Sequence, residues 1–162
     1  MTLPQGDLGL LDTDLAQKLL GSTELARLAY VAHDGTPRVF PMLFHWNGEE
    51  IVFATFTGTA KLKALTARPD VAVTIDRAGP PPEVLLLRGR AEVIEVDGLA
   101  PEYRWAQERY NGPEALKAVD ELEATGARMA RIVVRPTWVG TFDFVTRFPG
   151  GGTAEDFAQR GQ

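Results

Sequence analysis

The sequence contains no cysteine, one serine (Ser22) and two histidines (His33 and His45) among its 162 residues. Each scarcity removes a class of chemistry. Without thiols there is no disulfide, no thiolate nucleophile and no cysteine-ligated metal. A single serine leaves a Ser-His-Asp hydrolase almost no material. Two histidines without a carboxylate cluster at ligand spacing make neither a metal site nor a catalytic base, so no metal and no catalytic side chain are assigned. No run reaches the roughly 18 apolar residues of a membrane span. Basic surplus is missing too: the net charge is −5 and the pI about 5.1, the wrong sign for a nucleic-acid footprint. The opening MTLPQGDLGLLDTD lacks a basic-then-apolar export pattern. Together these absences predict a cytoplasmic protein that contacts neither nucleic acid nor membrane.

What is present is ordinary in bulk. Apolar residues make up 44% and charged residues 24% of the chain, the balance of a globular domain with a real core. We expect one domain over residues 1–148 and a weakly ordered glycine-rich tail over 149–162. Leu15, Leu19 and Leu20 behind the caps Asp12 and Thr13 predict a short helix. ARLAYVAH and TPRVFPMLFHW read as strands joined at Asp34-Gly35. In the second, Phe40, Met42, Phe44 and Trp46 share a face. Pro41 lacks a ladder donor and marks an edge, a bulge or a ligand-facing point. Asn47-Gly48 then turns the chain into IVFAT. VAVTID is another strand, and Glu83–Val96 is one long strand bent at Gly89. Helices start near Pro101 and Pro113, where proline suits the first helical position. ARIVVRP and WVGTFDF supply two closing strands. Hairpins dominate and βαβ alternation is missing, so the pattern predicts an α+β fold: an antiparallel split β-barrel of six or seven strands with peripheral helices.

One segment carries chemistry. In IVFATFTGTAKLKALTARPD (Ile51–Asp70) a strand runs through a Thr/Gly turn into a short helix that opens on a lysine. The first turn of a helix is the positive end of its dipole and holds unpaired N–H groups. A lysine there is explained best by an anion lying between it and the backbone. Thr55, Thr57 and Thr59 add hydroxyls nearby. Two helical positions rotate a side chain by about 200°, so Lys63 cannot face the same anion as Lys61 and reads as surface charge.

The ordered set DGTPRVFPMLFHW, NGEE, IVFATFTGTAK, LKAL, ARPDVAVTID and VLLLRGRAEVI resembles the pyridoxamine 5′-phosphate oxidase-like superfamily of FMN-binding split barrels. The likeness spans roughly residues 24–96, and more loosely 129–146. It implies a homodimer with a flavin or deazaflavin in each interface groove and a small-molecule substrate. In the oxidases an aromatic-Thr pair ends the third strand, and a lysine six residues after the Thr meets the FMN phosphate. Thr55 and Lys61 keep that spacing, and Thr59 stands where those enzymes have serine. Their arginine before the lysine is Ala60 here, the lysine serving the pyridoxal substrate is Phe44, and their C-terminal Arg-Leu-x-Arg motif is replaced by TWVGTFDFVTRF. The cofactor half of the likeness survives and the vitamin B6 half does not.

By the same resemblance Arg38, Val39, Phe40 and Pro41 lie in the strand that lines the ring, and Trp138 sits near an aromatic ring-site position. Arg88 and Arg90 share one strand face and read first as barrel exterior or dimer seam. Tyr103, Trp105 and Tyr110 lie on a helix and are expected to pack or to cover a groove. The implied activity is an FMN-dependent oxidoreductase. One alternative is a reductase using the deazaflavin coenzyme F-420, whose anionic tail would favour Arg68, Arg77, Arg88 and Arg90. Another is a cofactor-binding or sensing protein without turnover.

Overall fold

Thr13 ends a 3₁₀ turn (Leu8–Asp12) and caps α1 (Asp14–Leu20), its hydroxyl accepting from the Ala16 N–H. The computed structural model describes residues 2–161. Seven strands follow in one antiparallel sheet: β1 (Ala26–Val31), β2 (Pro37–Met42), β3 (His45–Trp46), β4 (Ile51–Phe56), β5 (Asp70–Arg77), β6 (Glu83–Glu95) and β7 (Met129–Phe142). Their order is β2-β1-β5-β6-β7-β4-β3, so β2 and β3 are the two edges. The remaining helices are α2 (Ala60–Ala67), α3 (Pro101–Asn111), α4 (Ala115–Ala124) and α5 (Ala154–Arg160). The sheet curls into a half-barrel, and the expected α+β split barrel is what the chain forms.

The curl follows from alternation. Leu28, Phe53, Val73, Ile75, Leu85, Leu87, Ile132 and Val134 point inward and are almost wholly buried. Leu19 and Leu20 of α1 and Leu62 and Leu65 of α2 join the same core. On the outer side, α3 packs over β3 and β4 and carries α4 with it.

Two strand readings need correction. The expected run through TPRVFPMLFHW breaks after Met42, because β2 pairs with β1 while β3 pairs with β4 at the opposite edge. Leu43 and Phe44 cross that gap, and Phe44 is fully buried. The alternation therefore does not run through: Phe40 stays half exposed. Conversely, the two closing strands are one, β7. Thr137 bulges where the register with β6 shifts between Arg88↔Trp138 and Gly89↔Pro136. Gly89 is needed there, since a Cβ would sit 2.5 Å from the Arg135 carbonyl oxygen. The tail also holds an element the sequence reading did not supply: Thr153 and Asp156 form a reciprocal capping box that starts α5.

Candidate functional site

A cleft of about 200 Å³ opens where the two ends of the sheet approach without pairing. One wall is Phe40–Leu43, from the end of β2. The opposite wall is Val52, Ala54 and Thr55 of β4. Lys61 of α2 closes one side, and Glu102, Tyr103, Ala106 and Gln107 of α3 close another. Non-adjacent strands thus bring Pro41, Thr55 and Lys61 together, three of the residues expected to hold a cofactor.

Lys61 is the electrostatic feature of this cleft. Its ammonium lies 3.7 Å over the Phe40 ring centroid and 3.7 Å from Met42 Sδ. Burial depresses its pKa below that of a free lysine. Lys18 and Lys117 pair with Glu83 and Glu121, whereas no carboxylate among the described residues pairs with Lys61. Thr59 stands at the N-cap of α2 with extended backbone, yet its hydroxyl makes no capping bond. That Oγ1 is buried without a partner. The first turn of α2 carries no acidic side chain either. A charged amine, an unanswered hydroxyl and an open helix start all accept an anion, so the donor set fits a phosphate group.

The other expected residues lie elsewhere. Thr57 is tied to Arg128: its N–H and its hydroxyl both donate to the Arg128 carbonyl, at 3.1 and 3.4 Å. Thr59 borders a neighbouring recess with Leu62, Lys63 and Val93. Arg38 is held by the Asp34 turn, with its guanidinium 3.1 Å from Asp34 Oδ2. Bonds from the Thr36 hydroxyl and N–H, with Arg38 alongside, lower the Asp34 pKa to about 2. Val39, on the outer edge of β2, is 62% exposed. Trp138 is remote from this cleft, stacked under Arg88 at 3.9 Å and packed against Gly6 and Gly140. The face of α3 supplied cleft residues that sequence reading missed. Glu102 follows Pro101 and resembles any acid in a first helical turn, so it gave no signal of its own.

The remaining aromatic residues of α3 divide. Tyr103 covers the cleft, as a groove-covering residue would. Trp105 packs against His45 at 4.9 Å. Tyr110 edges Phe44 and donates its hydroxyl to the Glu24 carbonyl. Burial, with help from the nearby Arg109 charge, holds the His45 pKa below its usual value.

The family model of pyridoxamine 5′-phosphate oxidase matches residues 13–142. Among solved structures, an F-420 reductase is 32% identical, the match covering 76% of this chain and 94% of that chain with a TM-score of 0.61. A conserved hypothetical protein of Mycobacterium tuberculosis is 22% identical over 78% of this chain and 81% of that one, with a TM-score of 0.62. General stress protein 26 of Bacillus anthracis is 15% identical over 84% and 95%, with a TM-score of 0.60. Those two likenesses are of fold alone. No curated protein matches the chain.

Proposed function

Because the chain belongs to the pyridoxamine 5′-phosphate oxidase family, we propose that it is an oxidoreductase holding a cofactor with a ribityl phosphate and a flat tricyclic ring. The observation that carries this reading is the unpaired, partly desolvated Lys61 ammonium in the cleft, on a helix whose N-cap hydroxyl, Thr59, is left without a partner. The 32% identity to an F-420 reductase favours the deazaflavin. FMN is the second reading, favoured because three arginines that an anionic deazaflavin tail would seek are engaged. Arg68 donates to the Ala32 and His33 carbonyls, Arg77 lies against Glu24 and Glu83, and Arg90 pairs with Asp70.

Such a cofactor, when bound, supplies hydride transfer at its ring. The chain supplies position and field. Lys61 would neutralise the phosphate, and the Thr59 and Thr55 hydroxyls would serve as its donors. Phe40, Met42, Val52, Ala54 and Ala106 exclude water along the apolar wall. No side chain here is assigned a proton to carry. The buried Phe44 cannot replace a substrate-binding lysine, which supports a substrate other than vitamin B6.

At about 200 Å³ the cleft is smaller than the roughly 300–1,000 Å³ typical of a whole-ligand site. A second copy of the chain would complete it. The apolar side chains left exposed beside the cleft, Val39, Phe40 and Phe56, are the surface we assign to that homodimer. Titration of purified protein with FMN and with coenzyme F-420, followed by turnover of the reduced cofactor with a panel of acceptors, tests the reading. Saturable binding with turnover is expected. Tight binding that never cycles would leave a cofactor sensor instead, and no binding of either cofactor would end the proposal.

A further inference from the structure

Lys61 differs from every other lysine of the chain in what surrounds it. The sequence holds four: Lys18, Lys61, Lys63 and Lys117. Lys18 lies 2.7 Å from Glu83 and Lys117 lies 4.0 Å from Glu121, and a carboxylate at that range favours the protonated amine. Lys63 has no ion pair among the described residues, but it is exposed and water solvates its charge. Lys61 has neither a carboxylate nor full solvation. It lines the cleft with its ammonium between the Phe40 ring and the Met42 thioether. A ring face holds a cation far less firmly than a buried carboxylate does. The residue also stands in the first turn of α2, at the positive end of the helix dipole. Desolvation and that field both favour the neutral amine, and burial lowers the Lys61 pKa accordingly. Desolvation of this kind is what turns a lysine into a nucleophile without an adjacent base.

We infer that Lys61 is a covalent modification site, acylated by a small acyl phosphate entering the cleft, and that acylation closes the site to a phosphate-bearing cofactor. This rests on the phosphate reading proposed above. The reagent's phosphate would lie where the cofactor's does, which brings its acyl carbon to the amine. A cleft of about 200 Å³ is ample for a two-carbon acyl phosphate. In the reaction the ammonium first gives a proton to water. The neutral nitrogen then attacks the acyl carbon; the C–N bond forms and the C–O bond to the phosphate breaks. Phosphate leaves with the electron pair and takes the second nitrogen proton. Nothing is oxidised or reduced. The product is a neutral amide, which suits the wall of Val52, Ala54 and Ala106 better than an ammonium does. It offers a phosphate no charge.

Mass spectrometry of folded wild type treated with acetyl phosphate tests the inference. Lys61 should be acetylated roughly tenfold faster than Lys63, or more. In urea, where all four amines are solvated alike, the preference should vanish. A Lys61 rate no higher than that of Lys63 in the folded protein, or a preference that persists in urea, would overturn the inference. A small acetyl thioester without phosphate should show a weaker preference for Lys61, and equal preference with both donors would overturn the acyl phosphate as reagent. Acetylated wild type should then bind the phosphorylated ribityl probe, flavin or deazaflavin, roughly tenfold more weakly or worse. Lys61→Arg, which lacks the amine, should keep through the treatment whatever affinity it has before it. Unchanged affinity of fully acetylated wild type would overturn the closing of the site. Failure of the phosphate reading shows instead in the untreated protein, which would bind phosphorylated and unphosphorylated ribityl probes alike. The closing of the site then falls with that reading, even where Lys61 still reacts first.

Discussion

The Lys61 ammonium stands 3.7 Å above the centre of the Phe40 ring, held by a π face where an ion pair would be usual. A cation–π contact contributes about 0.5–2 kcal/mol depending on desolvation, which keeps the charge in the cleft without cancelling it. A phosphate entering the cleft would therefore meet a cation already stripped of part of its water. Lys61→Ala should weaken a phosphorylated flavin or deazaflavin by about 1.5–3 kcal/mol, the range for a hydrogen bond to a charged group. The unphosphorylated ribityl probe should lose far less. Calorimetric titration of both probes checks the difference, and equal affinities in a folded variant would sink the assignment.

The same lysine sets a pH dependence. Burial holds its pKa below the ordinary 10.5, so it loses its proton earlier on the alkaline side than an exposed lysine would. Only the ammonium attracts phosphate. Affinity should fall along an alkaline limb that starts below 10.5, and Lys61→Arg should remove that limb. For the free protein the sign is opposite. Between the depressed pKa and 10.5 the unfolded chain holds more protons than the folded one, so stability rises with pH through that window. Titrations at stepped pH, with and without cofactor, read both effects.

Some of this was legible in the sequence, and the reasons differ by element. The split barrel could be read because its hairpins carry local signals, Asp34-Gly35 and Asn47-Gly48, and its strands alternate. Lys61 could be read because a basic residue at a helix start conflicts with the dipole. The break at Leu43–Phe44 could not, since it depends on β2 and β3 belonging to opposite edges of the sheet. The continuity of β7 was hidden by Pro136, which looks like a terminator until Gly89 is found opposite it. Glu102 was hidden because its partner Arg131 lies 29 residues away and nothing local marks a carboxylate for burial.

The Glu102–Arg131 pair should weigh on stability far more than the surface pairs do. Removing one member of a buried pair costs about 3–5 kcal/mol, because the other charge is left uncompensated. Arg131 is 25% exposed along its side chain, which lets water answer part of that cost and places Arg131→Ala near the lower figure. Arg135→Ala breaks an ion pair with Glu49 whose side chains are 62% and 71% exposed. It should cost under about 1 kcal/mol. Urea unfolding of the two variants checks the contrast, and equal midpoints would refute it.

Gly89 is set by its neighbour across the bulge. A methyl group there would come within 2.5 Å of the Arg135 carbonyl oxygen and 3.0 Å of Val134 Cγ1. Backbone on the partner strand cannot swing aside as a side-chain tip can. Gly89→Ala should destabilise by about 1–3 kcal/mol, the usual cost of overpacking. The loss should appear as a lower denaturation midpoint. An unchanged midpoint would mean that the β6–β7 bulge relaxes freely.

Thr59 separates stability from binding more cleanly than any other residue of the site. Its hydroxyl is buried, makes no capping bond and has no partner, so the free protein gains nothing from it and carries the cost of desolvating it. Valine has the same shape without the hydroxyl and suits the extended backbone of this position (φ −78°, ψ 148°). Thr59→Val should therefore leave the free protein equally stable, or raise its stability by up to about 1 kcal/mol. The same change should weaken the phosphorylated cofactor, because a donor to the phosphate oxygens is lost. A capping role predicts the reverse: lower stability, as is usual when a threonine N-cap is removed, with affinity unchanged. Thermal unfolding and cofactor titration on the one variant decide between them, since the two roles move the two measurements in opposite ways.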